Sequence, residues 1–292
     1  MVLPHEMIEF LRQGAPAIKA AERALSHGLK AGVATTPAAD VRICSPLPRP
    51  NSIRDFMLVE EHVRGSFKEV PAEWYEIPVY WKVNADTVFG PEDPIRWPCY
   101  TEKLDFELEL AAVIGCTVDA VSVEEAQDCI AGYTIFNDWS ARDLQHKEMG
   151  AMPVGPSKAK DFAMSLGPFL VTPDELAPYA NDPSFALTME VELNGERFGV
   201  DRLDNMAWSF GQLIAYASRG ALVQAGDIIG SGTCGDGCIA EKWGRQGFDS
   251  QRALQPGDVV TIRVEHVGEI SNTIVAADEL IDIGPGRVAP PA

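Results

Sequence analysis

Acidic and apolar residues alternate along residues 104–110, which read LDFELEL. Successive side chains of a β-strand point to opposite faces, so the pattern predicts a strand with Asp105, Glu107 and Glu109 on one face. Neighbouring Cα atoms on that face would lie roughly 6.6 Å apart. If the face is covered, the carboxylates need a metal ion or a basic group to offset repulsion and desolvation. If it is exposed, it is an ordinary solvated strand face, and the pattern alone leaves both interpretations open.

Helical spacing of apolar residues predicts helices at three places in the chain. Between residues 6 and 29 apolar positions recur at three- and four-residue steps or multiples of them, which predicts one or two amphipathic helices, interrupted near Pro16 and ended by Gly28. A capping-box pattern, in which Ser122 precedes Glu125 by three residues, predicts a helix over residues 122–130. We expect a further helix over residues 209–218.

The remainder of the chain is predicted to be mostly β-structure. Short β-branched runs bounded by turn residues predict strands at residues 111–114, 169–172, 187–193 and 259–264. An Asn194-Gly195 pair after the third run predicts a tight turn. A Pro-rich stretch at residues 45–51 predicts an extended linker. We therefore expect an α+β fold that divides into a helical N-terminal appendage, residues 1–44, and a larger domain, residues 45–292.

Composition and charge narrow the classes of function. The chain has 292 residues, of which 46% are hydrophobic and 23% charged, and it contains no apolar run of the roughly 18 residues that a membrane span requires. Its first residues lack the pattern of a secretory signal, so we expect a cytoplasmic protein. A net charge of −19 argues against nucleic-acid and membrane partners. An anionic substrate would need a local concentration of metal, Arg and Lys.

The six cysteines are scattered through a chain too large to need disulfide bonds, so we expect free thiols. Cys234 and Cys238 lie four residues apart in a Gly-rich loop. No second Cys or His pair completes a zinc-binding set at a familiar spacing, which argues against structural zinc.

The segment 137–145, which reads NDWSARDLQ, concentrates groups that could carry chemistry. One interpretation makes Asp138 the N-cap of a short helix, with Arg142 and Gln145 one turn apart on the same face. The other makes Asp138 a metal ligand and makes Arg142 and Gln145 hydrogen-bond donors to an oxyanion.

Three further candidates are ambiguous when each is considered alone. Lys160, with its neighbour Lys158, is either part of a solvated face or an anchor for a substrate carboxylate. Residues 230–238 lack the signatures of a phosphate loop or of a serine-hydrolase elbow, so we expect close approach of the backbone to a ligand, with Thr233 offering a hydroxyl. His62 is either a surface residue or a catalytic base.

Four motifs occurring in one order give a specific resemblance. The chain resembles the fumarylacetoacetate hydrolase family over roughly residues 45–283, on the segments 105–110 (DFELEL), 137–143 (NDWSARD), 160–162 (KDF) with 166–168 (LGP), and 226–227 (GD) with 232–233 (GT). The resemblance implies a mixed β-roll core that forms a homodimer and binds a divalent cation. We expect Mg²⁺, with Ca²⁺ or Mn²⁺ as alternatives, because carboxylate oxygens suit such cations.

The resemblance also implies roles for individual residues. The expected metal ligands are Glu107, Glu109 and Asp138, with Asp55 as a further candidate. The expected catalytic groups are His62, Glu241, Lys160, Arg142 and Gln145. Thr233 is expected to contact substrate. Two tyrosines that bind substrate in the family's name-giving enzyme correspond here to Met57 and Trp81, so a substrate other than fumarylacetoacetate is expected.

The expected function is metal-dependent hydrolysis of the carbon–carbon bond of a small anionic β-diketo acid, an acylpyruvate or a fumarylacetoacetate-like compound, through a metal enolate. In that interpretation His62, oriented by Glu241, activates water. The alternatives are a lyase or tautomerase acting on a 2-oxo acid, such as a decarboxylase, hydratase or dehydratase, and a protein that binds metal without catalysis.

Overall fold

A computed structural model describes residues 3–33, 36–66, 69–151, 155–277, 279–284 and 286. The two ends of the expected division, residues 1 and 292, lie outside the described residues. The α-helices are α1 (Met7–Gln13), α2 (Ala15–Ala31), α3 (Glu60–Ser66), α4 (Val123–Asp128), α5 (Arg142–Ala151), α6 (Pro173–Leu176), α7 (Phe210–Ala217) and α8 (Ile239–Gln246). Short 3₁₀ turns lie at Ala38–Asp40, Ala72–Tyr75, Lys158–Lys160, Ala177–Tyr179 and Leu203–Asn205. In this described part of the chain no helix is long and apolar enough to cross a membrane.

The strands form two main sheets of mixed direction, as the expected α+β fold requires. The strands are β1 (Ile53–Phe56), β2 (Tyr80–Val83), β3 (Val88–Phe89), β4 (Ile95–Arg96), β5 (Leu104–Asp105), β6 (Glu109–Ile114), β7 (Ile130–Asp138), β8 (Ser140–Ala141), β9 (Met164–Leu166), β10 (Ala180–Asn181), β11 (Ser184–Phe185), β12 (Thr188–Leu193), β13 (Glu196–Arg202), β14 (Ile228–Gly230), β15 (Val259–Val264) and β16 (Gly268–Val275). One sheet has the order β2-β1-β14-β6-β7-β9-β3 and the other β13-β12-β15-β16-β4, and they curl into a half-barrel. Parallel pairs, such as β1 with β14, lie beside antiparallel ones.

The larger sheet is buried on both faces. Along β6, Leu110 and Ala112 belong to one hydrophobic cluster, whereas Ala111 and Val113 belong to another on the opposite face. A strand covered on both sides is apolar at every position rather than at alternate ones, which explains the unbroken apolar run after Glu109.

The expected acidic strand is interrupted, which corrects the prediction for residues 104–110. Residues 104–105 pair with β8, residues 106–108 leave the ladder, and β6 begins at Glu109. The backbone N–H groups of the interruption find other acceptors: Glu107 donates to Asn137 Oδ1 at 2.9 Å and Leu108 to the Gly237 carbonyl at 3.0 Å. The alternation of side chains survives, because the apolar residues lie in the core and all three carboxylates are buried together.

The N-terminal helices differ from the prediction in their limits. The break falls at Gly14, whose positive φ of 58° no ordinary residue adopts readily, and Pro16 lies in the first turn of α2, where a proline is tolerated. Helix α2 passes through Gly28 and ends at a left-handed Gly32. Leu11 of α1 packs in a core cluster with Ile53. The division between residues 44 and 45 stays a prediction.

The other predicted elements can be compared directly. The helices after Ser122 and Ser209 both begin with a capping box, and the Asn194-Gly195 pair joins β12 to β13 with both residues at positive φ. The strand predicted at residues 169–172 is wrong, because only Val171 forms an isolated bridge, to Tyr133.

Two of the cysteines are paired, contrary to the expectation of free thiols. Cys116 and Cys129 form a disulfide with Cα atoms 5.4 Å apart. They flank the connection between β6 and β7, which contains α4. Spacing in the sequence could not reveal this pair, because the hairpin brings residues 13 apart into contact. Cys44 and Cys99 are free and exposed, while Cys234 and Cys238 are free and buried.

Candidate metal and acid–base site

Three carboxylates meet where β1, β14 and β6 lie side by side. Asp55, Glu107 and Glu109 are all buried, and one oxygen of each lies within 4.8 Å of the others. In the sheet register Asp55 is opposite Gly230, where a Cβ would collide with the Asp55 carboxylate. Gly230 therefore leaves the space into which Asp55 points.

Lys160 links this cluster to Asp138 at the end of β7. Its Nζ donates to Glu107 Oε2 at 2.6 Å and to Asp138 Oδ2 at 2.8 Å. The side chains of all three residues are at most 5% exposed, so the ion pairs are screened little by water. Lys160 is therefore a buried countercharge, and the alternative of a solvated lysine face applies to Lys158, which is largely exposed.

Arg142 holds the acidic segment from its other side. Its Nε donates to Asp105 Oδ2 at 2.8 Å, its Nη2 to Glu107 Oε1 at 2.8 Å, and its Nη1 to Gln145 Oε1 at 3.0 Å. Asp138 is not a helix cap, because α5 begins at Arg142 itself. The observed contacts make Arg142 a clamp on two carboxylates. The expected oxyanion contacts of Arg142 and Gln145 stay predictions.

The electrostatics divide the carboxylates into two kinds. Burial raises the pKa of Asp55 to about 6, with repulsion from nearby Glu107 contributing and the attraction of Lys160 opposing the rise. Burial also raises the pKa of Glu109 and Asp138 well above its usual range, with repulsion from Asp55 and Glu107 adding to it. Glu107 differs, because Lys160 and Arg142 outweigh burial and hold the pKa of its carboxyl below the usual range.

The donor atoms fit a hard divalent cation. Asp55 Oδ1, Glu109 Oε2 and Asp138 Oδ1 are buried and find no hydrogen-bond partner among the described residues. Both oxygens of Glu107 are already bonded to Lys160 and Arg142. Buried carboxylate oxygens without donors are ligands for Mg²⁺, Ca²⁺ or Mn²⁺. Asp55, Glu109 and Asp138 thus each have an oxygen without a hydrogen bond, while each Glu107 oxygen accepts one hydrogen bond and keeps a second lone pair for a metal.

His62 and Glu241 form a buried pair between α3 and α8. His62 Nδ1 lies 2.9 Å from Glu241 Oε1, and Glu241 Oε2 accepts from the backbone N–H of Asp236 at 2.9 Å. The two helices approach closely because glycines face each other. A Cβ on Gly65 would lie 2.9 Å from Glu241 Cγ, and a Cβ on Gly244 would collide with the Gly65 carbonyl oxygen.

Asp105 supports the start of α8, a role that sequence reasoning did not assign. Its carboxylate accepts from the backbone N–H groups of Ile239 at 2.7 Å and Ala240 at 2.9 Å. Cys238, at the N-cap position, makes no side-chain capping bond, so Asp105 supplies the missing acceptor. The Asp105 carboxylate therefore fixes the position of α8, which carries Glu241, relative to the segment that carries Glu107.

The expected substrate-contact residues border the carboxylates. Thr233 Oγ1 donates to Glu109 Oε1 at 3.2 Å, and Trp81 Nε1 donates to Asp55 Oδ2 at 3.2 Å. The Trp81 ring also lies 5.5 Å from Lys160 Nζ. Met57 follows β1, and a Cβ on Gly232 would lie 2.9 Å from its Cα, which places Met57 beside the 230–238 loop.

Two groups beside the site lacked a role in the sequence-based prediction. Asn137 supports Glu107 through the bond from the Glu107 N–H to its side chain. Cys238 Sγ lies 3.9 Å from His62 Nδ1 and 3.8 Å from Glu241 Oε1. Both residues belong to recognised motifs, but only the fold shows which neighbours they contact.

A separate cavity of about 930 Å³ is lined by residues that include Phe169, Tyr179 and His266. None of the candidate site residues lines it. Its size alone carries no functional conclusion, because the candidate site residues and their buried, unpaired carboxylate oxygens lie elsewhere.

The fold and the site define a class: an α+β protein in which a buried carboxylate cluster, suited to a divalent cation, adjoins a His–Glu pair. The sequence model described as fumarylacetoacetate (FAA) hydrolase C-terminal matches residues 52–275, and the chain belongs to this family. The expected resemblance is confirmed.

Curated relatives and a solved structure extend the comparison. The mitochondrial oxaloacetate tautomerase fahd2 of Xenopus laevis is 31% identical over 94% of this chain and 79% of its own length. The oxaloacetate tautomerase YisK of Bacillus subtilis is 31% identical over 93% of this chain and 87% of its own. The structure of a fumarylacetoacetate hydrolase from Exiguobacterium antarcticum aligns with a TM-score of 0.68 at 28% identity, covering 84% of this chain and 82% of that one. The family therefore includes both tautomerases and a hydrolase.

Proposed function

We propose that the protein is a divalent-cation-dependent enzyme that interconverts the keto and enol forms of a small 2-oxo dicarboxylic acid, with oxaloacetate as the substrate. The observation that carries the proposal is the set of unpaired, buried carboxylate oxygens on Asp55, Glu109 and Asp138 beside the His62–Glu241 pair. The similarity to two oxaloacetate tautomerases supports the choice of reaction. It shifts the main hypothesis from the hydrolase expected from sequence to its tautomerase alternative.

The cation would be held by Asp55, Glu109 and Asp138, with Mg²⁺ as the first candidate and Ca²⁺ or Mn²⁺ as alternatives. Glu107 is a further candidate ligand, because each of its oxygens keeps a lone pair beside its bond to Lys160 or Arg142. When bound, the cation withdraws electron density from the oxygens of a 2-oxo acid, which makes the neighbouring carbon-bound proton more acidic.

The chain's own residues would then carry the proton. Keto–enol conversion moves one proton between C3 and the oxygen on C2 of the substrate. With its Nδ1 directed at Glu241, His62 presents Nε2 as the atom that accepts or returns this proton. The buried Glu241 carboxylate orients the ring and stabilises its protonated form. Lys160 supplies a fixed positive charge for a substrate carboxylate.

Hydrolysis of a β-diketo acid is the second candidate, because the same buried His–Glu pair suits activation of a water molecule. Here His62 Nε2 would take a proton from water, which attacks the distal carbonyl carbon. Lys160, Arg142 and Gln145 are the candidate donors to the resulting oxyanion. The 28% identical fumarylacetoacetate hydrolase structure supports this candidate.

One substrate panel separates the candidates. The protein is incubated, in Mg²⁺ or in chelator, with each of four substrates or classes: enol-oxaloacetate, oxaloacetate, acylpyruvates and other β-diketo acids. Ultraviolet absorption detects ketonisation. Mass spectrometry of reactions run in ¹⁸O-water identifies the products. Tautomerase activity predicts metal-dependent ketonisation without change of mass. Hydrolysis predicts two fragments with ¹⁸O in a carboxylate, and decarboxylation predicts loss of CO₂. Metal binding without turnover of any compound would contradict both candidates and favour the non-catalytic alternative.

Two variants separate metal binding from proton transfer. Glu109→Gln removes a charged ligand, so calorimetry should show at least about a tenfold weaker affinity for Mg²⁺ together with loss of turnover. His62→Ala should keep the affinity for Mg²⁺ and lose turnover by about 10²- to 10⁴-fold. Glu92→Gln, which changes an exposed carboxyl, is the control. Full Mg²⁺ affinity in Glu109→Gln would refute the ligand assignment.

The small anionic 2-oxo acid is the proposed partner of the site. The homodimer and the cytoplasmic location stay predictions.

A further inference from the structure

Three side chains from distant parts of the sequence converge at the buried end of α8. His62 Nδ1 lies 2.9 Å from Glu241 Oε1, and Cys238 Sγ lies 3.9 Å from the former and 3.8 Å from the latter. All three residues are buried. A single imidazole nitrogen, thiol sulfur and carboxylate oxygen thus form a compact triangle. This triangle is separate from the Asp55, Glu107 and Glu109 cluster.

The triangle has nearly the dimensions of one face of a tetrahedral zinc site. With Zn–S near 2.3 Å and Zn–N and Zn–O near 2.0 Å, tetrahedral geometry separates sulfur from nitrogen or oxygen by ~3.6 Å, and nitrogen from oxygen by ~3.3 Å. The observed separations differ from these by a few tenths of an ångström. Small side-chain rotations are therefore enough to place all three atoms around one ion.

The chemistry of the donors favours a thiophilic ion. A thiolate, a carboxylate and a neutral imidazole balance the two charges of Zn²⁺, so the buried complex carries no net charge. Glu241 Oε2 is already held by the Asp236 N–H at 2.9 Å and lies 3.4 Å from Arg245 Nη2, which orients the carboxylate. Mg²⁺ has little affinity for sulfur, so the two sites differ in the ions that they select.

We propose that His62, Cys238 and Glu241 form a second metal site, which binds Zn²⁺ and blocks the acid–base pair. Binding releases the thiol proton to solvent and occupies His62 Nδ1. Any proton on Nδ1 moves to Nε2, where it prevents that nitrogen from accepting another. The Zn²⁺–Glu241 contact replaces the bond between Glu241 and His62. The binding claim stands on geometry alone, whereas the claim of inhibition rests on the proposed function.

Cys234 provides a matched control in the same loop. It is also buried and free, but its Sγ contacts Met189 Sδ at 3.3 Å and is not one of the three clustered ligand atoms. Cys44 and Cys99 are exposed free thiols that could bind a thiophilic ion on their own. Replacing both of them with Ser leaves a background in which the two buried thiols can be compared.

The binding test uses Co²⁺ as a spectroscopic probe for Zn²⁺, in that background and with Mg²⁺ in excess. We expect one equivalent of Co²⁺ to give a thiolate-to-cobalt charge-transfer absorption, which Zn²⁺ abolishes by displacement. Cys234→Ser should keep the absorption, while Cys238→Ser should lose it and weaken Zn²⁺ binding, measured against a chromogenic chelator, by at least tenfold. Circular dichroism verifies the fold, and Glu241→Gln, which retains the thiol, should also weaken Zn²⁺ binding.

Two results would overturn the site: absence of the absorption before any substitution, or its persistence in Cys238→Ser. Unchanged Zn²⁺ affinity in Glu241→Gln would do the same, even if Cys238→Ser failed to fold. A separate activity arm compares turnover with and without Zn²⁺ at saturating Mg²⁺, within each variant. Zn²⁺ binding without loss of turnover would refute inhibition, and absence of turnover in Mg²⁺ alone would refute the proposed function while leaving the binding result intact.

Discussion

Asp55→Asn probes the electrostatic cost of gathering carboxylates around the metal site. Asp55 is 4% exposed, and one of its oxygens is unpaired among the described residues. Burial raises its pKa from 3.8 to about 6, while an unfolded chain would restore the ordinary value. Asparagine has nearly the same shape and carries no charge, so the substitution removes the titration and changes the packing little.

The sign and size of the effect follow from this difference in pKa. A carboxyl whose pKa is raised on folding binds its proton more tightly in the folded state, so its contribution to stability is full below about pH 4 and is lost as the pH rises through 6. About two pKa units at about 1.4 kcal/mol each give a penalty of ~3 kcal/mol for Asp55 above pH 7. A bound divalent cation would offset this penalty, as would the amide of the variant.

Urea denaturation in chelator at pH 7.5 and pH 4.0 measures the effect. The variant should be more stable than the unchanged protein by ~3 kcal/mol at pH 7.5 and by less than ~1 kcal/mol at pH 4.0. In saturating Mg²⁺ the order should reverse, because the variant has lost a ligand. Asp249→Asn, at an exposed position, is the control and should change stability by less than ~0.5 kcal/mol at both pH values.

In chelator, an Asp55→Asn variant that gains no stability over the unchanged protein at pH 7.5 would refute the reasoning. Such a result would mean that the charged Asp55 is compensated by the protein alone. Lys160 would then be the sufficient countercharge, and the need for a cation would disappear.

Three further predictions concern the parts that hold the site. Lys160→Met leaves the buried Asp138 without its ion-pair partner and Glu107 with Arg142 alone, so urea denaturation in chelator should show a loss of ~3–5 kcal/mol. Lys158→Met, at an exposed position, should cost at most ~1 kcal/mol, and equal losses would contradict a buried role for Lys160. Gly244→Ala should push α8 away from α3 and lower turnover by about tenfold or more. Gly150→Ala, whose added Cβ meets open space, should leave turnover unchanged. Full activity of Gly244→Ala would show that the two helices tolerate separation. Ser122→Ala removes the N-cap of α4 and should lower the free energy of unfolding by ~1 kcal/mol, measured by thermal or urea unfolding. An unchanged free energy of unfolding would show that the cap does not stabilise the protein.

Residues that are close in the sequence were enough to predict the elements whose structure depends only on such neighbours. The capping box at Ser122 and the Asn194-Gly195 turn depend on residues at most three positions apart, so their patterns predicted them correctly. A helix was also correctly predicted after Ser209. The strand at residues 104–110 was only partly correct, because tertiary acceptors replace the ladder around Glu107. Residues 169–172 have strand composition, but only Val171 pairs with the neighbouring strand β7, through Tyr133.

The sequence determined which groups are available, and the tertiary structure decided how they are paired. The ordered motifs were sufficient to predict the family and to nominate Asp55, Glu107, Glu109 and Asp138. They could not show that Lys160 lies between Glu107 and Asp138 and bonds to both. Nor could they show that Arg142 donates to two carboxylates, or that a cysteine lies beside the His–Glu pair. Such contacts join residues from 22 to 176 positions apart. Charge–charge energies depend on separation in space and on exclusion of water, and neither quantity is contained in the spacing along a chain.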